Sequence, residues 1–167
     1  MFGPVLGIDP GVSRCGYGAV TRDGGKLRAV ACGVIRTPAA DPLPDRLVAL
    51  ASELDALVAE LRPSALAVER VLFQVNARTA MSVGQASGLA LVAAAKAGVP
   101  VVQYSPNEVK LAVTGDGKAD KAAVQGMVTR LLSLAEVPKP ADAADALALA
   151  CCHLGRAPLL AQIGATT

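Results

Sequence analysis

Apolar residues fill positions 5–8 and stop at an acid, Asp9. A second apolar run, 15–22, turns at Asp23-Gly24-Gly25 into a third, 26–36. Runs of this length joined by a glycine turn predict an antiparallel opening of three strands. The proline-rich stretch 37–44 breaks the pattern and predicts a connector. From Asp45 the period changes. Leu47, Leu50, Leu54, Leu57, Val58 and Leu61 recur at three- and four-residue steps, the spacing of an amphipathic helix, which Arg62-Pro63 ends. Strand character returns at 65–70. Strand, helix, strand predicts a right-handed crossover, which makes this strand parallel to an earlier one.

Asn76 can cap a long helix to about Gly98, residues 100–104 read as a further strand, and Ser105-Pro106-Asn107-Glu108 has the composition of a helix start. After a glycine loop, 114–118, Val124, Met127, Val128, Leu131 and Leu132 share one face of a helix that begins near Asp120. Pro138 and Pro140 separate it from a last helix, 142–154, and the chain beyond Arg156 reads as a flexible tail, 157–167. The pattern is α/β, with one domain over residues 1–156.

Composition narrows the class. Hydrophobic residues at 53% against 18% charged exclude disorder, while 2% aromatics leave the core to Ala, Val and Leu. A net charge of +2 neither announces nor excludes a polyanionic partner. Cys15, Cys32, Cys151 and Cys152 show no paired spacing, and no cationic leader with an apolar run opens the chain. A reducing cytoplasm is therefore the expected compartment. No apolar run reaches membrane length, since Lys96 and glycines interrupt the Ala-rich stretch. Cys151-Cys152-His153 raises a zinc site, but consecutive helical residues point about 100° apart and a second ligand pair is missing, so buried thiols are the better reading.

The acids carry the chemistry. Function in an open α/β sheet sits beyond the carboxyl ends of the strands. Asp9 follows Leu6-Gly7-Ile8, and Glu69 follows Leu66-Ala67-Val68, so two acids emerge at one sheet edge from apolar runs. Asp142 and Asp145 stand three apart in "ADAADALALA", on one helix face and among Ala and Leu. Asp142 alone would serve as an N-cap; Asp145 faces the core or a site. Crowded, half-buried carboxylates raise one another's pKa unless a cation joins them, and an all-oxygen set selects Mg²⁺ or Mn²⁺ over zinc.

Asp9 within "LGIDPGVSRCGYG", Glu69 within "AVERV", "NARTAMSVGQASG" over 76–88 and "ADAADALALA" together resemble the RuvC Holliday junction resolvases, and the likeness runs over 5–153. The resemblance implies a ribonuclease H-like fold, a five-stranded mixed β-sheet flanked by α-helices, in a homodimer that nicks two strands of four-way DNA in recombination and repair. It implies Asp9, Glu69, Asp142 and Asp145 as catalytic, metal-binding carboxylates, Lys110 and Lys121 as basic residues near the DNA, and RuvA and RuvB as partners. Two Mg²⁺ or Mn²⁺ ions per active site would support in-line hydrolysis to 5′-phosphate and 3′-hydroxyl ends. Arg14, Arg78 and Lys118 join Lys110 and Lys121 as candidate backbone contacts. Many family members carry an aromatic wedge residue just after the glutamate; here Leu72 stands in that place and Phe73 follows, and either is a candidate. The nearly charge-free helix from Asn76 to Gly98 is the candidate dimer interface.

Other readings compete. The strand-Asp-Pro-Gly loop also resembles sugar kinases and actin-like ATPases, but those need two such halves and this chain has one. A YqgF-type RNA-processing nuclease is the nearer enzyme alternative. A non-catalytic junction-binding protein would keep the basic loop without needing the acids.

Overall fold

The computed structural model describes residues 3–71 and 76–164, with 159–164 as helix backbone. Five strands form one sheet: β1 (Val5–Asp9), β2 (Arg14–Asp23), β3 (Lys26–Arg36), β4 (Ala65–Glu69) and β5 (Val101–Tyr104), in spatial order β3-β2-β1-β4-β5. β1 pairs antiparallel with β2 and parallel with β4, so the sheet is mixed, as expected. The β2–β3 hairpin closes through Gly24 and Gly25, both at positive φ (53° and 84°), the conformation a tight hairpin turn demands.

Helices α1 (Leu43–Leu61) and α2 (Ala77–Lys96) cover one face, and α3 (Pro106–Thr114), α4 (Lys121–Leu131) and α5 (Ala141–Gly164) cover the other. Alternation along β1 divides its side chains between them. Leu6 and Ile8 pack with Leu50 and Leu54 of α1 and with Ala86 and Ala90 of α2. Val5, by contrast, packs in the cluster that includes Leu147 of α5. Gly7 and Asp9 share the face of Val5, and Glu69 shares a face with Ala65 and Ala67 on β4, so both acids lie on the α5 side.

The long central contact is between α5 and the strands β1 and β2. Gly7 pairs with Gly18 and Asp9 with Gly16, which leaves a patch of bare backbone beneath the helix. A Cβ at Gly7 would overlap the Ala146 carbonyl oxygen, one at Gly16 would overlap that of Asp142, and one at Gly18 would come within 2.7 Å of the Leu147 nitrogen. Ala143, Ala144, Ala146, Ala148 and Ala150 on the helix are buried with almost no exposed area. Small residues on both partners thus seat the helix against the sheet, and its first turn arrives beside Asp9.

α5 runs ten residues past the expected end at Leu154, into the segment read as a flexible tail. Pro158 lies within it and has no N–H for the Leu154 carbonyl. Arg22 supplies the missing donor: its Nη2 bonds that oxygen at 2.7 Å. The helix survives because a residue from β2 satisfies its orphan acceptor.

Candidate active site

Asp9 and Glu69 end adjacent parallel strands whose register runs Val5 with Ala65 through Ile8 with Val68. One further step sets the two acids side by side, with backbones about 4.8 Å apart. Together with Asp145 of α5, Lys110 of α3 and Lys121 of α4 they line a cleft of about 260 Å³, whose inner wall is apolar (Val109, Val124, Leu149). α3 is held in place by a capping box: the Ser105 hydroxyl accepts from the Glu108 N–H at 3.2 Å, and the Ser105 N–H donates to Glu108 Oε2 at 2.8 Å.

The charges in the cleft do not balance evenly. Lys121 Nζ donates to Asp145 Oδ2 at 2.8 Å, and Arg14 Nη2 pairs with Asp142 Oδ2 at 2.6 Å. Asp9 and Glu69 have no basic partner among the described residues. Burial, then the charges of Glu69, Asp145 and Asp142, push Asp9 up to about 7 against the weaker opposing pull of Lys121. Glu69 is raised too, by burial first and then by Asp145, again opposed by Lys121. The Lys121 ammonium is raised, chiefly by its hydrogen bond to Asp145.

This donor set fits a hard divalent ion. Every ligand type is a carboxylate, and the two acids without a basic partner are the ones that burial penalises as anions. Among the described residues no three acidic, His or Cys side chains already converge as a ligand set.

The pKa directions yield a pH prediction. Folded Asp9 titrates near 7 and its ordinary value is 3.8, so the folded chain retains a proton that the unfolded chain has released. In metal-free protein its contribution to stability is therefore highest below about pH 4, declines as pH rises and is fully lost above about pH 7, a penalty on the order of 4 kcal/mol. His153, held below its usual value by burial, contributes with the opposite sign up to about pH 6.5. The Asp9→Asn variant isolates the Asp9 part. Its stability advantage over wild type is expected to widen from pH 5 to 7.5 in EDTA; thermal melts giving a constant gap contradict this.

The remaining sequence candidates are dispersed. Asp142 is the second residue of α5 and engages Arg14, so it does not cap the helix. Arg14 is thus committed to an acid that does not line the cleft but whose charge reaches Asp9. Lys118 is exposed in the loop before α4, where its N–H bonds Asp116 Oδ1 at 2.8 Å, and it lines a separate shallow depression. Arg78 is exposed on the first turn of α2, away from the cleft. Leu72 and Phe73 lie outside the described residues. His153 is buried and its Nδ1 meets the Tyr104 hydroxyl at 2.8 Å, while the Cys151 and Cys152 thiols are pushed up by burial to about 12 and 11; these are core groups.

Sequence reasoning overlooked the helix seat of Gly7, Gly16 and Gly18, whose signal was present: glycine inside an apolar strand marks a close backbone approach. It also overlooked Thr37 and Arg46. Thr37 Oγ1 donates to the Val12 carbonyl at 2.6 Å, and Arg46 Nε donates to Thr37 Oγ1 at 3.0 Å, bracing the loop after Asp9.

Comparison with known proteins agrees with this fold. The family described as "Crossover junction endodeoxyribonuclease RuvC" matches residues 5–153. A protein of that name from Parafrankia sp. (strain EAN1pec) is 55% identical over 166 residues, covering 98% of this chain and 92% of the relative. The solved structure of Thermus thermophilus RuvC superposes with a TM-score of 0.86 at 38% identity, covering 93% of this chain and 96% of the other. A second T. thermophilus RuvC structure, in complex with Holliday junction substrate, gives 0.89 at 39% identity over 94% and 96% of the two chains. With the ribonuclease H-like arrangement of sheet and acids already in place, the chain belongs to the RuvC family of crossover junction endodeoxyribonucleases.

Proposed function

We propose that this chain resolves four-way DNA junctions by hydrolysing one phosphodiester in each of two symmetric strands, leaving 5′-phosphate and 3′-hydroxyl ends that can be ligated directly. The observation that carries this reading is the pair Asp9 and Glu69, adjacent at the strand ends, without a basic partner among the described residues and facing Asp145 across one cleft. Asp9, Glu69, Asp142 and Asp145 would hold two Mg²⁺ or Mn²⁺ ions, whose chemistry is Lewis-acid polarisation of the phosphodiester. The chain's own part is to orient and to balance charge. Asp9 and Glu69 fix the depth of the cleft, its apolar wall thins out water around the scissile phosphate, and Lys110 and Lys121 face the negative strand. Lys121 can turn from Asp145 to a phosphate oxygen, freeing the carboxylate as it does so.

A junction has two equivalent strands to cut, so a twofold enzyme matches it. α2 supports a homodimer: Met81 and Val92 are 66% and 50% exposed, and open space stands over Gly84 and Gly88, where a second helix can approach closely. The T. thermophilus relative solved with Holliday junction substrate supports the choice of DNA. Assignment of residues 1–156 as one nuclease domain, RuvA and RuvB as partners, and the cytoplasm as compartment rest on the family. No helix of the described residues is long and apolar enough to cross a membrane.

The test is a labelled mobile junction beside a matched duplex, in Mg²⁺ and then Mn²⁺, with light scattering on the same preparation. Paired symmetric nicks in the junction, an intact duplex and a dimer are expected. Binding without cutting would turn the reading into a junction-binding scaffold, and a preference for RNA would turn it towards a YqgF-type nuclease.

A further inference from the structure

The loop that follows Asp9 has two sides. Arg14 reaches from it to Asp142 on the first turn of α5. Val12 and Ser13 wall a separate groove, completed by Arg46 near the start of α1 and by Arg78, Met81 and Gln85 on the first turns of α2. Arg46 is rigidly held there, its Nη2 donating to Ser13 Oγ at 2.5 Å and its Nε to Thr37 Oγ1 at 3.0 Å. Both acceptors are neutral hydroxyls, so the hydrogen bonds orient the guanidinium and leave its charge uncancelled.

Arg78 adds a second cation. The four ion pairs of the described residues involve Arg14, Lys96, Lys121 and Arg156, and neither groove arginine meets a carboxylate. Asp45 shares the first turn of α1 with Arg46 and pairs with neither arginine. Two uncompensated guanidiniums suit phosphate oxygens, which their forked donors can bridge. Gln85 offers a further donor in the same groove.

We propose that this groove seats the backbone of a second, uncut DNA segment of the bound junction, with Arg46 and Arg78 as its phosphate contacts. The inference rests on the nuclease reading above. The scissile strand occupies the acidic cleft, the other segment passes on the far side of the Asp9 loop, and the loop separates them. A four-way junction supplies such diverging segments at one point.

The experiment measures affinity for a fluorescent four-way junction by anisotropy in EDTA, across a salt series, with circular dichroism melts to confirm folding. Arg78→Gln is expected to weaken binding about 3- to 10-fold and to lower the slope of log affinity against log salt by about one. Gln85→Glu, which places a carboxylate in the groove, is expected to weaken it comparably. Lys26→Gln, at the opposite end of the sheet, is the unchanged control. Combining Arg78→Gln with Lys121→Gln in the cleft should multiply the two losses, as separate contacts do. Wild-type affinity and slope in both groove variants overturn the proposal while leaving the nuclease reading intact. A combined loss well below the product also overturns it, because one segment would then touch both residues. Failure of the wild-type protein to nick junctions in Mg²⁺ or Mn²⁺ would instead sink the nuclease reading, and this inference with it.

Discussion

Asp9→Asn is expected to reduce junction cleavage by about 10³-fold or more, a loss equivalent to about 4 kcal/mol of transition-state stabilisation. Junction affinity should change little. Asparagine keeps the shape of the side chain at the end of β1 and deletes only its charge. That charge is costly to the free protein, since burial and three neighbouring acids push the Asp9 carboxyl to about 7. The variant should therefore be more stable than wild type above pH 7 without metal, and its melting temperature should gain less on addition of Mg²⁺. A group retained for packing would show the reverse, with lower stability and intact cutting. Single-turnover cleavage with excess enzyme, read beside thermal melts in EDTA and in Mg²⁺, separates the two cases. Cutting by Asp9→Asn within tenfold of wild type would remove Asp9 from the machinery.

The parts of this site that could be read from the chain are those where a local rule and the tertiary structure agree. An apolar run that halts at an acid marks a strand end, and Asp9 and Glu69 both obey. Asp142 and Asp145 were legible as a pair because a three-residue step keeps two side chains on one helical face. Direction was not legible. Asp142 turns to Arg14, 128 positions earlier in the chain, and Asp145 turns to Lys121, a choice that depends on where β2 and α4 lie in space. The end of α5 was misjudged for the same kind of reason. Pro158 is a helix breaker by local rules, and the Arg22 guanidinium on β2 bonds the carbonyl that it leaves without a partner. The groove beside the Asp9 loop was invisible too, because Arg46 and Arg78 come from helices separated by a full strand.

Gly7→Ala should cost about 3 kcal/mol or more and slow cleavage about 10²-fold. The added methyl would strike the Ala146 carbonyl oxygen and lie 3.0 Å from the Ala150 nitrogen. Both obstacles are helix backbone, which cannot rotate aside as a side chain does. α5 must then lift from β1 by on the order of 1 Å to restore ordinary contact distances. The lift costs packing along the Ala-rich face and also carries Asp145 away from Asp9, so stability and activity fall together. Gly126→Ala is the matched control: it sits within α4, a Cβ there meets nothing within 4 Å, and the same methyl should stabilise by about 0.5–1 kcal/mol. Urea melts of the two variants decide the matter. If Gly7→Ala unfolds within about 0.5 kcal/mol of wild type, the bare backbone beneath α5 is not what holds the acids together, and the seat must lie in the alanines of the helix alone.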